Sequence, residues 1–195
     1  MTVDTLTTKF PSYTDSLLGL KPGEAIVGPQ AFSFDFYAVY QTKGTFVPFP
    51  ENQSFQLAIS EGESDYAPFG LTNLTASGYI TLPDQEGNFS FSGNPEDFRN
   101  LGLQTEEVRG DTFFGSGINK LFGVSSGSGS IDFNNGIVSG AGTITITGGQ
   151  GLLQGASGTL TFTETVSLAD ATGTATVTGG ITVPLPFASC FLAGL

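Results

Sequence analysis

The chain has 195 residues, with 28 glycines, 18 phenylalanines, no tryptophan and no histidine, and its 18 acidic against 6 basic residues give a net charge of −12. That charge excludes a nucleic-acid backbone or an anionic lipid surface as partner. The missing histidine removes the commonest general base and every Ser/His or Cys/His nucleophile pair. A single cysteine, Cys190, excludes an intrachain disulfide framework and a Cys-rich metal site. Zinc, copper and haem lose their usual ligands, which leaves oxygen-bound calcium or magnesium as the only common metals. No cofactor is expected.

Residues 1–30 read as an N-terminal arm, punctuated by Pro11, Pro22, Gly23 and Pro29, with a short helical turn at DSLLGL (15–20) capped by Asp15. They lack the basic start and continuous apolar run of a signal peptide. No run of eighteen apolar residues exists, so no membrane span is expected. The compartment stays open between cytoplasm and secretion by a non-classical route.

The sheet signal begins at AFSFDFYAVY (31–40), where Phe32, Phe34, Phe36, Ala38 and Tyr40 share one face and Ser33, Asp35, Tyr37 and Val39 the other. Strands follow over 53–60, 69–82 and 88–93, the last two joined by the turn PDQEG (83–87). NPEDFRNLGL (94–103) reads as a helical turn, with Asn94 as N-cap, Pro95 at the first helical position and Gly102 at its end. Strands resume over 111–117, 120–132, 137–147, 158–168 and 173–183, with a hairpin turn at Asn134, Asn135 and Gly136. In the late strands threonine alternates with Ile, Leu, Phe or Val, the pattern of antiparallel strands with one wetted face. About eight such strands can close into a barrel whose interior just holds side chains or one small ligand. The expected fold is therefore all-β, a single antiparallel barrel of about eight strands over 31–183. The apolar tail 184–195 is expected to pack on the barrel or a subunit interface.

Glycine inside a strand marks a bulge, a bend or the close approach of another backbone. In GGQGLLQG (148–155) the strand that follows excludes a phosphate cradle, which needs a helix there. These glycines are expected to shape a barrel corner.

Several side chains are candidates for a site. Asp35 and Tyr37 lie two residues apart on one strand face and would converge in a pocket if that face pointed inward; the Phe32, Phe34 and Phe36 face is the more apolar alternative. Glu164, in TFTETV, is read as standing on the threonine face, a pocket acid or a solvated one. Tyr40, Tyr79 and Phe114 are candidate aromatic walls for a ligand, with core packing as the plain alternative. Glu61, Glu63 and Asp65, at alternate positions in EGESDY (61–66), are candidates for calcium, although they lack the spacing of an EF-hand loop.

The stretch ITGGQGLLQGASGTLTFTET (146–165), with the preceding KLFGVSSGSGSIDFNNGIVSGAGTIT (120–145), resembles the hairpins of the allene-oxide-cyclase-like barrels, a superfamily that includes plant allene oxide cyclases and dirigent proteins. The resemblance implies an eight-stranded antiparallel barrel and association as trimers; the hydroxyl-rich faces and the apolar tail lead to the expectation of a dimer or trimer. The resemblance also implies a barrel-mouth site built from carboxylates and aromatic walls, although no catalytic position carries over to this chain. APFGLTNLTASGYI (67–80), NPEDFRNLGL and FGSGINKLFG (114–123) are similar to a cyanobacterial group that includes a secreted water-stress protein, which implies a matrix role tied to polysaccharide. Two functions follow as expectations: a non-catalytic barrel that binds a saccharide or small apolar molecule, and a cofactor-free isomerase or cyclase. Two or more converging acids or tyrosines in the pocket would favour the second.

Overall fold

A computed structural model describes residues 31–48, 54–102 and 110–184. The arm over 1–30 with its Asp15-capped turn, and the tail beyond 184 with Cys190, lie outside the described residues. Nine strands form one antiparallel sheet: β1 (Ala31–Pro48), β2 (Phe55–Glu63), β3 (Asn73–Thr81), β4 (Asn88–Ser92), β5 (Thr112–Phe114), β6 (Lys120–Asp132), β7 (Ile137–Gln150), β8 (Ser157–Ser167) and β9 (Thr172–Pro184). The sheet closes into a ring. β1 pairs with β9 on one side and β2 on the other, and β2 pairs in turn with β3. Between β3 and β6 the stave is made of two pieces laid end to end. β5 pairs Leu74–Ala76 with Leu121–Gly123, while β4 pairs Tyr79 and Ile80 with Ser126 and Gly127. Nine strands thus make eight staves, and the expected barrel is the observed one.

The break in that stave has a local cause. Gly93 and Gly110 meet where the chain leaves and re-enters the sheet. Gly110 N–H donates to the Gly93 carbonyl at 2.8 Å, and Gly93 N–H to Ser125 at 2.8 Å. A Cβ on Gly93 would sit 2.5 Å from the Gly110 carbonyl oxygen, so only glycine allows the two chains to touch there. The excursion includes a 3-10 turn over Pro95–Leu101, closed by Gly102 at φ 93°. It is tighter than the helical turn expected, and Asn94 makes no side-chain cap; Ser92 and Asp97 bond to each other instead, at 2.5 Å. The turn lays Phe98 across the outer face of β2 and β3 against Phe55 and Tyr79, with ring centroids 6.3 and 6.1 Å away.

One end of the barrel is filled. Phe36, Tyr40, Leu71, Phe114, Leu121, Leu153, Leu160 and Ile181 are all fully buried there. The Tyr40 hydroxyl donates to the Leu71 carbonyl at 2.7 Å, and burial pushes the Tyr40 phenol up from its ordinary value. The glycine-rich segment forms this end's corner. β7 runs through Gly148 and Gly149, with a bulge where Phe122 and Gly123 shift register, into a 3-10 turn over Gly151–Leu153. Gly151 and Gly155 hold φ of 68° and 75°, and a Cβ at Gly149 would overlap the Leu153 carbonyl oxygen. The corner exists to bring Leu153 inward as a plug.

Candidate functional site

Toward the other end, the inward positions stop being large. β1 presents Gly44, β3 Gly78, β6 Gly127 and Gly129, β7 Gly140 and Gly142, and β9 Ala175, where the filled end has Phe, Tyr, Leu and Ile. The result is a cavity of about 140 Å³, running from a layer at Ala76, Ile144 and Val177 to a rim at Phe46, Ile80 and Val166. Its aromatic wall depends on the glycines opposite. Phe89 pairs across strands with Gly129 and Phe91 with Gly127. A Cβ on Gly127 would lie 2.6 Å from Phe91 Cζ, so the tip of the ring rests on bare backbone. Phe91 also meets Phe162, with ring centroids 5.6 Å apart.

Glu164 is the only charged side chain among the residues lining this cavity. It is half-buried, and its Oε1 accepts from the Ser60 hydroxyl at 2.9 Å across the lumen. Its cross-strand neighbours are Gly140 and Ala175, which give the carboxylate room and no hydrogen bond from a side chain. Thr112 lines the cavity as well, and its buried hydroxyl has no partner among the described residues.

Among the described residues, three hairpin turns surround the mouth, and each holds an aspartate by local hydrogen bonds. Asp84 accepts from the N–H of Asn88 at 2.8 Å and of Glu86 at 2.9 Å. Asp132 accepts from the Asn135 side chain at 2.7 Å and the Asn134 N–H at 2.9 Å, and Asp170 from the N–H and hydroxyl of Thr172 at 3.1 and 2.8 Å. These bonds favour the ionised form and hold all three carboxyls below the ordinary range; the leading partners are Asn88, Asn135 and Thr172 respectively. The turns are joined, because Ile131 N–H donates to Gly87 at 3.0 Å and Leu168 N–H to Gly136 at 2.8 Å. The mouth is thus a fixed rim of negative charge.

The residues singled out in the sequence are scattered by this geometry. Asp35 and Tyr37 point outward from β1, with Tyr37 58% exposed, because Phe36, Ala38 and Tyr40 take the inner face; an acid–phenol pair in the pocket is ruled out. Tyr40 and Phe114 are locked in the filled end, and Tyr79 lies outside the barrel beneath Phe98. None of the three lines the cavity. Glu61 and Glu63 project outward and exposed from β2, with Asp65 exposed just beyond it. Among the described residues no cluster of three acidic or other metal-binding side chains forms. Glu164 corrects its own reading: it shares parity with Leu160, Phe162 and Val166, not with the threonines, and so faces the lumen. The sequence reading missed Ser60, Phe91 and Phe162.

No family model matches the chain, and no curated protein matches its sequence. Among solved structures, the pterocarpan synthase dirigent protein GePTS1 is similar at a TM-score of 0.41 and 12% identity, over 84% of this chain and 96% of that one. The pterocarpan synthase dirigent protein PsPTS1 is similar at 0.41 and 13%, over 80% and 97%. Likeness at that level carries no inference about function, and the fold stands on the strand pairing above. The resemblance to the water-stress group has no counterpart in these two proteins. Among the described residues, no helix is long and apolar enough to cross a membrane.

Proposed function

We propose that the barrel is a non-catalytic binder of a small, largely apolar molecule, taken into the half-empty lumen. The observation that carries this reading is the lumen itself: closed at one end by Leu153 and its neighbours, walled by Phe89, Phe91 and Phe162, and furnished with one hydrogen-bonding carboxylate. An apolar cavity with few convergent polar groups is the usual form of a small-molecule site. A saccharide fits less well, since most of its hydroxyls would lose water without gaining a partner. The cyclase reading gains no support, because the lining offers a single acid and no tyrosine. The resemblance to the water-stress group is the basis for placing such binding in a stress or matrix setting.

The test uses 2-phenylethanol as probe and saturation-transfer NMR as readout. A Cβ at Gly140 meets nothing closer than 4.0 Å, the nearest atoms being Phe91 Cε1 and the Ser128 carbonyl oxygen, so Gly140→Leu has room to start and extends into the lumen. Transfer to the probe is expected in the unaltered protein and lost in Gly140→Leu. Equal transfer in both would overturn the proposal. Self-association as a dimer or trimer is part of the same proposal; a monomer mass by light scattering at all concentrations would remove that part.

A further inference from the structure

Resting on the lumen as the binding site, we infer that its ligand is an organic cation, an aromatic or aliphatic amine bound as its ammonium. An ionised carboxylate has about four acceptor positions, and Ser60 fills one of those on Glu164. Among the described residues, no protein cation fills another. The basic residues among those described are Lys43, Arg99 and Lys120. Lys43 stands exposed on the outer face of β1, Arg99 is paired with Glu96 on the excursion outside the barrel, and Lys120 begins β6 at the filled end. Beside Glu164, Gly140 and Ala175 contribute only space.

The aromatic wall suits the same ligand. Phe162 precedes Glu164 by one step on the same strand face, and Phe91 packs against it. An ammonium at the carboxylate therefore lies on the side of the lumen that carries these two rings, whose faces attract cations. The lumen's low dielectric strengthens the ion pair relative to water. Around the mouth, the turn carboxylates of Asp84, Asp132 and Asp170, with a net charge of −12, favour the approach of cations over anions.

The experiment titrates the full chain calorimetrically, near neutral pH, with a matched pair: 2-phenylethylammonium and 2-phenylethanol. They differ in the head group and its charge, so apolar burial cancels. The ammonium is expected to bind about tenfold tighter or more, the size of one charge-assisted bond. Glu164→Gln should bring the two probes within about threefold of each other while both still bind. Ser60→Ala keeps the carboxylate and should keep the preference, which guards against a variant that merely unfolds. If both probes bind in the lumen, are blocked by Gly140→Leu, and show no ammonium preference, the inference fails while the binding site stands. A preference that survives Glu164→Gln also overturns it, assigning the attraction to the acidic surface. If neither probe binds, the lumen reading itself fails.

Discussion

Two neighbouring glycines on the inner wall should respond to the same substitution with opposite signs. Gly127 and Gly140 lie on adjacent strands, and neither has a left-handed backbone. Their surroundings differ completely. A methyl at Gly140 enters open space, whereas one at Gly127 overlaps the Ala141 carbonyl oxygen, stands 2.7 Å from Gly142 Cα and drives into the Phe91 ring. Gly140→Ala should therefore stabilise the fold by roughly 0.4–1 kcal/mol, because it restricts the unfolded chain at no steric cost. Gly127→Ala carries the same entropic gain but forces backbone apart and lifts Phe91 from its contact with Phe162, at a cost of about 1–3 kcal/mol or somewhat more. The shared entropic gain cancels, so the two variants should differ by the steric cost, about 1–3 kcal/mol in urea unfolding, read from midpoints with unchanged slopes. Midpoints that agree within about 0.5 kcal/mol, or lie in the reverse order, would refute the claim that glycine spacing here is set by ring-on-backbone packing.

Tyr40→Phe leaves the Leu71 carbonyl unpartnered in the filled end and should cost about 1–2 kcal/mol near neutral pH. Because burial raises the Tyr40 phenol above 10.0, its contribution is complete below that pH and lost above it, so the variant's stability should fall less steeply in alkali by circular dichroism. Asp132 shifts the other way: its folded carboxyl lies below the ordinary 3.8, so its contribution is present above that pH and lost on acidification below it. Asp132→Asn should flatten the stability profile between about pH 5 and 3, and an unchanged acid limb would refute the turn's role. Phe98→Ala, which uncovers Phe55 and Tyr79, should cost about 3 kcal/mol in urea while leaving probe binding in the lumen intact.

Strand alternation was most legible where the barrel is packed. The inward set Phe36, Ala38 and Tyr40 agrees with the structure, because apolar parity is strong at the filled end. Alternation fades where the lumen opens. β1 continues to Pro48 beyond the expected end at residue 40, since its next inward positions are Thr42 and Gly44, which carry no apolar signal. Weak alternation on a continuing strand was thus itself the trace of a cavity. Glu164 was legible by simple parity, two positions after Phe162 and two before Val166. Ser60, its partner, was not, because the pairing crosses the lumen between strands 104 residues apart in sequence. Tyr79 could not be placed either. It points outward and is buried only because the excursion between Gly93 and Gly110 returns Phe98 over it.

The chain has no tryptophan, which makes a direct reporter of lumen occupancy available. Phe46 lines the cavity at the rim and is 45% exposed, so Phe46→Trp places a single fluorophore at the mouth with little disturbance. Titration with 2-phenylethylammonium should shift its emission saturably with one-to-one stoichiometry, and adding Gly140→Leu should abolish the shift. An emission spectrum that does not change on titration, or a shift that persists with the lumen filled, would contradict the account.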